Sequence, residues 1–371
     1  MKNAIKALFV LLASTSLVSS ATAGEITVTG SAKATYNIIS GYHSATTGAA
    51  SKGMGIANDF DFGASGELDN GITWKYQVQM DTTAGSATAT GTFDDSRLEL
   101  GTSYGTLAIY NSEGGLEVIN SSSASAYARP TDSGITSGIV DGLNIGGFAN
   151  VQYHTPAGLL PFGAQIKAAY ATGQNSNVDT ANAQGIVGDD FGNNAQQYQV
   201  SVKPVDGLTV SADYYTEGDA GTTGKPVIQS AESGAVAAKY SMGAVTVGAA
   251  RSWTAPLIVG TSATQSVISN DGVAASNGGG QTDAQVRQYT TTKASIGFNV
   301  NENLSVSYEQ EKSVREKIIN AAEFDIKSKA VQAAYTVGGM TLAVSHGSTD
   351  NASYENNRNF DQTLLALTIA F

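Results

Sequence analysis

The chain has no cysteine among its 371 residues. A disulfide framework, an iron–sulfur cluster, a thiol nucleophile and a thiolate zinc site are therefore all excluded. The lack does not exclude an oxidising compartment, because large sheets are stable without disulfides. Histidine is nearly absent, and His43, His154 and His346 are far apart in sequence. That makes a transition-metal site improbable. Charge is scarce at 14%, and Lys plus Arg total 20 against 32 Asp plus Glu, a net charge of −12. Without a basic block, nucleic-acid binding has no electrostatic footprint. After the first 23 residues no stretch offers even twelve consecutive apolar residues, so no helix is expected to span a bilayer. Six prolines beside 42 glycines and 41% hydrophobic residues exclude a collagen-like chain, a coiled coil and a disordered acidic tail.

The exception to the missing apolar runs lies at the start. Lys2 and Lys6 precede the run Ala7 to Ala13, and the small residues Ala21-Thr22-Ala23 follow. This is the pattern of a secretory signal peptide over residues 1–23, cleaved after Ala23. A retained membrane helix would need roughly 20 apolar residues, and Ser14, Thr15, Ser16, Ser19 and Ser20 interrupt the run too early. The exported chain, 24–371, is then soluble or crosses a membrane as strands.

What the chain does have is alternation. In Ile72 to Asp81, the residues Ile72, Trp74, Tyr76, Val78 and Met80 share one face, and Thr73, Lys75, Gln77, Gln79 and Asp81 share the other. Glu25 to Ser40 alternates in the same way. Turn signals stand at 68–71, 103–105, 155–161, 204–207, 241–243, 300–303 and 336–339. Long polar connections fall between them, so the strands total 16 and one rim carries tight turns while the other carries loops. A soluble sandwich has no reason for that asymmetry. The expected fold is all-β, a 16-stranded antiparallel transmembrane β-barrel with short periplasmic turns and long extracellular loops. Aromatic residues near strand ends, among them Tyr153, Tyr240 and Tyr335 at one rim and Tyr36, Tyr214 and Trp253 at the other, match the girdles that bracket a bilayer.

Sixteen strands enclose a cylinder too wide for side chains to fill, so the lumen holds water. With the apolar face outward, the lumen receives Lys33, Lys75, Arg97, Lys167, Lys203, Lys239, Arg287 and Lys293, together with Lys327 and Lys329. Asp59, Asp61, Glu67, Glu99, Asp213 and Glu309 face the same way. Arg251 falls on the outer face near the loop rim, where it can snorkel. A loop folded inward usually narrows such a pore. Residues 114–142 are the candidate, carrying Glu117, Asp132 and Asp141 with Glu113 just before them. Length alone does not choose, because the 260–283 connection is equally long.

Motifs for chemistry fail on inspection. Gly101-Thr-Ser103-Tyr-Gly105 matches a nucleophile elbow, but in a strand-to-strand turn and with no histidine nearby in sequence. No catalytic residue and no cofactor is expected, and the chain is not read as an enzyme. Asp59, Asp61 and Glu67, with loop acids, could bind a structural Ca²⁺ through oxygen ligands, although a hydrated lumen face accounts for them more simply.

The whole exported chain resembles a general diffusion porin of the Gram-negative outer membrane, of the alphaproteobacterial and related type. The residues that carry the likeness are Glu25-Ile-Thr-Val-Thr-Gly-Ser-Ala-Lys33, Phe62-Gly-Ala-Ser-Gly-Glu-Leu-Asp-Asn-Gly-Ile-Thr-Trp74, Arg97-Leu-Glu-Leu-Gly-Thr-Ser-Tyr-Gly105 and Leu365-Ala-Leu-Thr-Ile-Ala-Phe371. The last resembles the C-terminal assembly signal of outer-membrane proteins. The resemblance implies a homotrimer among outer-membrane lipid and lipopolysaccharide, each subunit passing ions and small hydrophilic solutes. It also implies a third outer loop whose acids, here Glu113, Glu117 and Asp132, oppose basic wall residues, here Lys33, Lys75 and Arg97. Lys239 and Lys293 are further candidate pore-lining cations. The sign of selectivity stays open: the net charge favours cations at the mouth, and lumen lysines favour anions inside. The alternatives are a substrate-specific channel with an aromatic slide, for which only Phe148, Tyr215 and Tyr289 are placed, a barrel enzyme, or an adhesin.

Overall fold

A computed structural model describes residues 25–41, 51–82, 92–132, 137–172, 194–218, 227–260, 265–267, 286–317 and 323–371. The segment 1–23 and most of the 260–283 connection lie outside the described residues. The strands are β1 (Glu25–Gly41), β2 (Ser51–Glu67), β3 (Thr73–Thr82), β4 (Thr92–Thr102), β5 (Gly105–Asn111), β6 (Asn150–His154), β7 (Gln165–Thr172), β8 (Asn194–Val202), β9 (Leu208–Glu217), β10 (Val227–Gln229), β11 (Glu232–Met242), β12 (Val245–Ala255), β13 (Ile258–Gly260), β14 (Gln265–Val267), β15 (Val286–Asn299), β16 (Leu304–Lys317), β17 (Ile326–Val337), β18 (Met340–Asp350) and β19 (Phe360–Ala370). Sixteen of these close into one antiparallel barrel, and β10, β13 and β14 form a separate three-stranded sheet. Those three arise within long connections and carry no alternation that would mark them in the sequence. No described helix is long and apolar enough to cross a membrane.

Closure follows from pairing every strand with its sequence neighbour in the ring and then joining β1 to β19, with Ala34 opposite Leu367 and Tyr36 opposite Leu365. A closed ring leaves no open edge, which a bilayer would not tolerate. The outward set is apolar and exposed: Ile26, Val28, Tyr36, Ile56, Tyr76, Val247, Trp253, Ile296, Leu342, Leu365 and Leu367. The inverted pattern, apolar outside and polar inside, is that of a protein solvated by lipid. The guanidinium of Arg251 lies 5.2 Å from the centre of the Trp253 ring, so the one arginine expected on this face stacks on an aromatic neighbour.

Three placements differ from the sequence reading. In β17 the buried positions are Ile326, Ser328, Ala330, Gln332 and Ala334, so Lys327 and Lys329 face outward. Serine and alanine at the inward positions gave the alternation no contrast, and the pairing register decides the face. In β15 the register shifts between Val286 and Gln288. This bulge turns Arg287 out of the lumen to meet Glu316 at 3.5 Å, both more than half exposed. Lys203 lies just beyond β8, in the turn before β9, and is exposed.

Candidate functional site

Between β5 and β6, the described residues 112–132 and 137–149 lie inside the barrel along its wall. Those described residues have almost no secondary structure, only the single turns Pro130–Asp132 and Ile145–Gly147, so their backbone polar groups need partners elsewhere. Wall side chains supply them. Leu116 N donates to Gln197 Oε1 of β8 at 3.2 Å, and Val118 N to Asp213 Oδ1 of β9 at 2.8 Å. Further along, Ala124 N donates to Ser295 Oγ of β15 at 3.0 Å and Ala126 N to Ser307 Oγ of β16 at 2.7 Å. Tyr127 N then donates to Gln332 Oε1 of β17 at 3.1 Å. On the return, Thr291 Oγ1 donates to Val140 O at 2.6 Å, Leu143 N to Ser233 Oγ at 3.0 Å, and Ile145 N to Gln197 Oε1 at 3.0 Å. The segment thus crosses the wall from β8 to β17 and comes back, leaving the passage toward β1–β4.

Apolar packing holds it there as well. Leu116, Leu143, Ile145 and Phe148 bury against Ala169, Ala171, Ala195 and Tyr215, and Val118 and Ile119 against Ala235, Ala237 and Ala250. Small inward residues let the backbone come close. At Gly248 a Cβ would stand 1.7 Å from Ser122 O, and at Gly297 it would stand 2.5 Å from Ala124 O. These inward alanines and glycines were a sequence signal that this wall leaves room for a packed segment, without saying which one, and the strand-by-strand reading of charges passed over it.

A charge cluster pins the far end. Lys293 Nζ lies 2.9 Å from Asp141 and 3.6 Å from Glu311 and donates to Asn120 Oδ1 at 2.6 Å, its side chain 1% exposed. Arg129 binds Asp132 and Asp141, each at 2.6 Å. Burial works to raise the Asp141 carboxyl, but Lys293 and Arg129 outweigh it and hold the group below the usual carboxylate range. Burial raises Glu117, opposed by its own backbone N–H and reinforced by Asp141. Glu309 accepts from Ser123 Oγ at 2.6 Å and from Ser125 Oγ, and Lys239 Nζ donates to Ser123 O at 2.7 Å. Of these groups Arg129, Asn120 and Glu311 escaped the sequence reading.

The pairing implied by the resemblance is only partly what the structure places together. Glu113 lies 3.5 Å from Arg97, which also lies 3.8 Å from Glu99 and donates to Gln77. Asp132 instead meets Arg129 of its own segment, and the charges acting on Glu117 are those of Asp141 and Arg129. Lys75 lines a recess of about 550 Å³ at the short-turn mouth with Glu67 and Glu99. Lys33 is on the inward face of β1, between Ala57 and Thr368. Phe148, Tyr215 and Tyr289 are buried at 8%, 0% and 2% exposure, so they fill space at the wall and the inward segment and form no slide along the water path. Asp59 and Asp61 accept from Gln79 and Gln77 at 2.9 and 2.5 Å. Among the described residues no group of three or more His, Asp or Glu is placed to hold a metal. Ser103 stands in the two-residue turn between β4 and β5.

The connection after β18 also turns inward. Ser353 N donates to Ser137 O at 2.7 Å. The Tyr354 hydroxyl is 2.8 Å from Ser313 Oγ, and its ring lies under the Arg315 guanidinium at 4.7 Å. The distal part of the long segment is thereby clamped between wall and cap.

A closed barrel, apolar outside and polar within, with a passage beside an inward segment, defines a membrane-spanning β-barrel channel. The chain belongs to the Gram-negative porin family, whose model matches residues 7–255. It is an integral β-barrel of the bacterial outer membrane and forms a diffusion channel there. No curated protein matches it. Among solved structures it is similar to the OmpF of Salmonella typhi in complex with daunomycin, with a TM-score of 0.62 and 15% identity over 95% of this chain and 100% of that one. It is also similar to the anion-selective porin from Comamonas acidovorans, with a TM-score of 0.63 and 10% identity over 94% and 100%. A third is OmpT of Vibrio cholerae in its trimer form, with a TM-score of 0.59 and 11% identity over 94% and 100%. At such identities the likeness is one of fold.

Proposed function

We propose that the channel passes ions and small hydrophilic solutes passively, with weak charge selectivity, through a constriction formed where residues 114–142 and Glu113 approach the β2–β4 wall. The observation that carries this reading is the inward segment itself, hydrogen-bonded from β8 to β17 and so fixed in the water path. The pore works without catalysis, cofactor or metal. A homotrimer is the assembled form, in keeping with the trimer form of the similar OmpT, and outer-membrane lipid and lipopolysaccharide cover its apolar belt. Residues 1–23 are an export signal, and N-terminal sequencing of protein from outer membranes should begin at Gly24. A substrate-specific slide is disfavoured, since the three aromatic residues available for it are buried.

The test is the purified protein in a planar lipid bilayer. Large, stable conductance steps arriving in groups of three are expected. A folded barrel that gives no steps would overturn the open-pore reading, and steps arriving singly would overturn the trimer.

A further inference from the structure

We infer that the pore prefers cations, and that the preference is set on the β1–β4 side of the lumen by Asp59, Asp61, Glu99 and Glu113. This rests on the charge-selective pore proposed above and supplies its sign.

Counting residues by sequence points the other way, because inward lysines are numerous. What matters to a permeating ion is the charge left uncancelled and within reach. Lys293 meets neither condition: two carboxylates flank it, and its side chain is 1% exposed. Arg129 is held between Asp132 and Asp141. Lys239 donates to a backbone carbonyl of the inward segment, which fixes its position without cancelling its charge, so it is a lone positive charge set against the acids across the passage. Lys293 and Arg129 hold the segment to the wall and, paired with carboxylates, present little field to the passage.

Across the passage the balance is reversed. Asp59 and Asp61 accept from the side-chain amides of Gln79 and Gln77. An amide donor satisfies a carboxylate lone pair without cancelling its charge. Arg97 is shared between Glu99 and Glu113, so one positive charge answers two negative ones. Lys75 stands in its recess with Glu67 and Glu99. Lys33 is the remaining inward-facing cation of this wall among the described residues, and Asp59 sits opposite Ser31, one inward position along β1. Each cation here is matched or outnumbered, and the residual charge is negative. Exposed loop charge is screened within about 8 to 10 Å at physiological salt, and a constriction is screened less, so this wall outweighs the distant loops.

The experiment is the reversal potential of the purified channel in a planar bilayer under a KCl gradient. The expected sign is that of potassium permeation. The double variant Asp61→Asn with Glu113→Gln should lower the potassium-over-chloride ratio by about twofold or more, since the ratio depends exponentially on a local potential that reaches several kT. Arg97→Gln should raise it. Conductance steps with a chloride-directed or zero reversal potential would overturn the inference and leave the diffusion channel standing, as would a double variant with an unchanged ratio. Folded protein without steps would remove the channel reading and the inference together.

Discussion

Glu113 and Asp141 are carboxylates of one segment, yet their surroundings drive them in opposite directions. Burial raises Glu113, Arg97 pulls it back, and Asp95, Glu99 and Asp61 push it up again. Asp141 is also penalised by burial but faces two cations, and it ends below the usual range. For stability the signs differ. The folded state favours protonated Glu113, so that contribution is lost as pH rises through its raised value; Asp141 contributes above its unfolded value and loses its share as pH falls through its lowered one. For conduction only the group on the passage counts. Lowering the pH from neutral should therefore protonate Glu113 before ordinary carboxylates and reduce cation preference first, while Asp141 stays charged and the inward segment stays in place. Reversal potentials taken across a pH series check this, with Glu113→Gln as the control that should lose the early step. If the variant titrates like the parent, Glu113 is not the group responsible. Neither behaviour was legible in the sequence, because both acids are ordinary loop residues until the fold places Arg97 beside one and Lys293 beside the other.

At the scale of the elements, the inward segment is held by complementary shape as much as by charge. Gly248 and Gly297 lie diagonally across neighbouring strands β12 and β15, Gly248 opposite Ser295 and Gly297 opposite Thr246, directly under Ser122 and Ala124. A methyl at Gly248 would overlap a backbone carbonyl, which has no rotamer to retreat into. Gly248→Ala should displace the segment from the wall, costing about 1 to 3 kcal/mol as an overpacked site. The displaced segment would move into the passage and lower single-channel conductance while the barrel stays folded. Single-channel recording paired with a thermal midpoint in detergent reads both effects, and a variant with parental conductance would show that the carbonyl does not define the segment's position. The same region explains what the sequence conveyed. Strands such as β3, with Trp74, Tyr76 and Val78 against Lys75, Gln77 and Gln79, announce their faces because each face has its own chemistry. Strand β17 does not, since Ser328 and Ala330 suit either side, and the register with β16 and β18 sends Lys327 and Lys329 outward. The number of strands and the rim asymmetry were legible from turn residues alone. Which long connection folds inward depends on contacts between residues such as Gln332 and Ala128, 204 positions apart, and no local pattern carries that.

The barrel as a whole depends on one seam, where the first strand meets the last. Every other pairing in the ring joins barrel strands that are consecutive along the chain, whereas β1 and β19 must find each other across the full length. Such a contact is the slowest to form and the last to be rewarded. At its end Gly30 N donates to Phe371 O at 2.9 Å, and Phe371 N donates to Gly30 O at 3.0 Å. The Phe371 ring then rests 5.6 Å from that of Phe60 on β2. It also lies over Gly30, where an added Cβ would come within 3.2 Å of it. The terminal aromatic thus reaches past β1 to the next strand and fastens three strands together. Phe371→Ala keeps both backbone bonds and loses the ring contact, worth about 0.5 to 1.5 kcal/mol for an aromatic pair. Deleting Phe371 removes the ring and both bonds, and opens the seam by one rung. The folded fraction recovered on dilution from urea into lipid vesicles should therefore fall in the order parent, Phe371→Ala, deletion. Equal recovery for the alanine variant and the deletion would mean that the last backbone rung contributes nothing to closure, and that the ring acts alone.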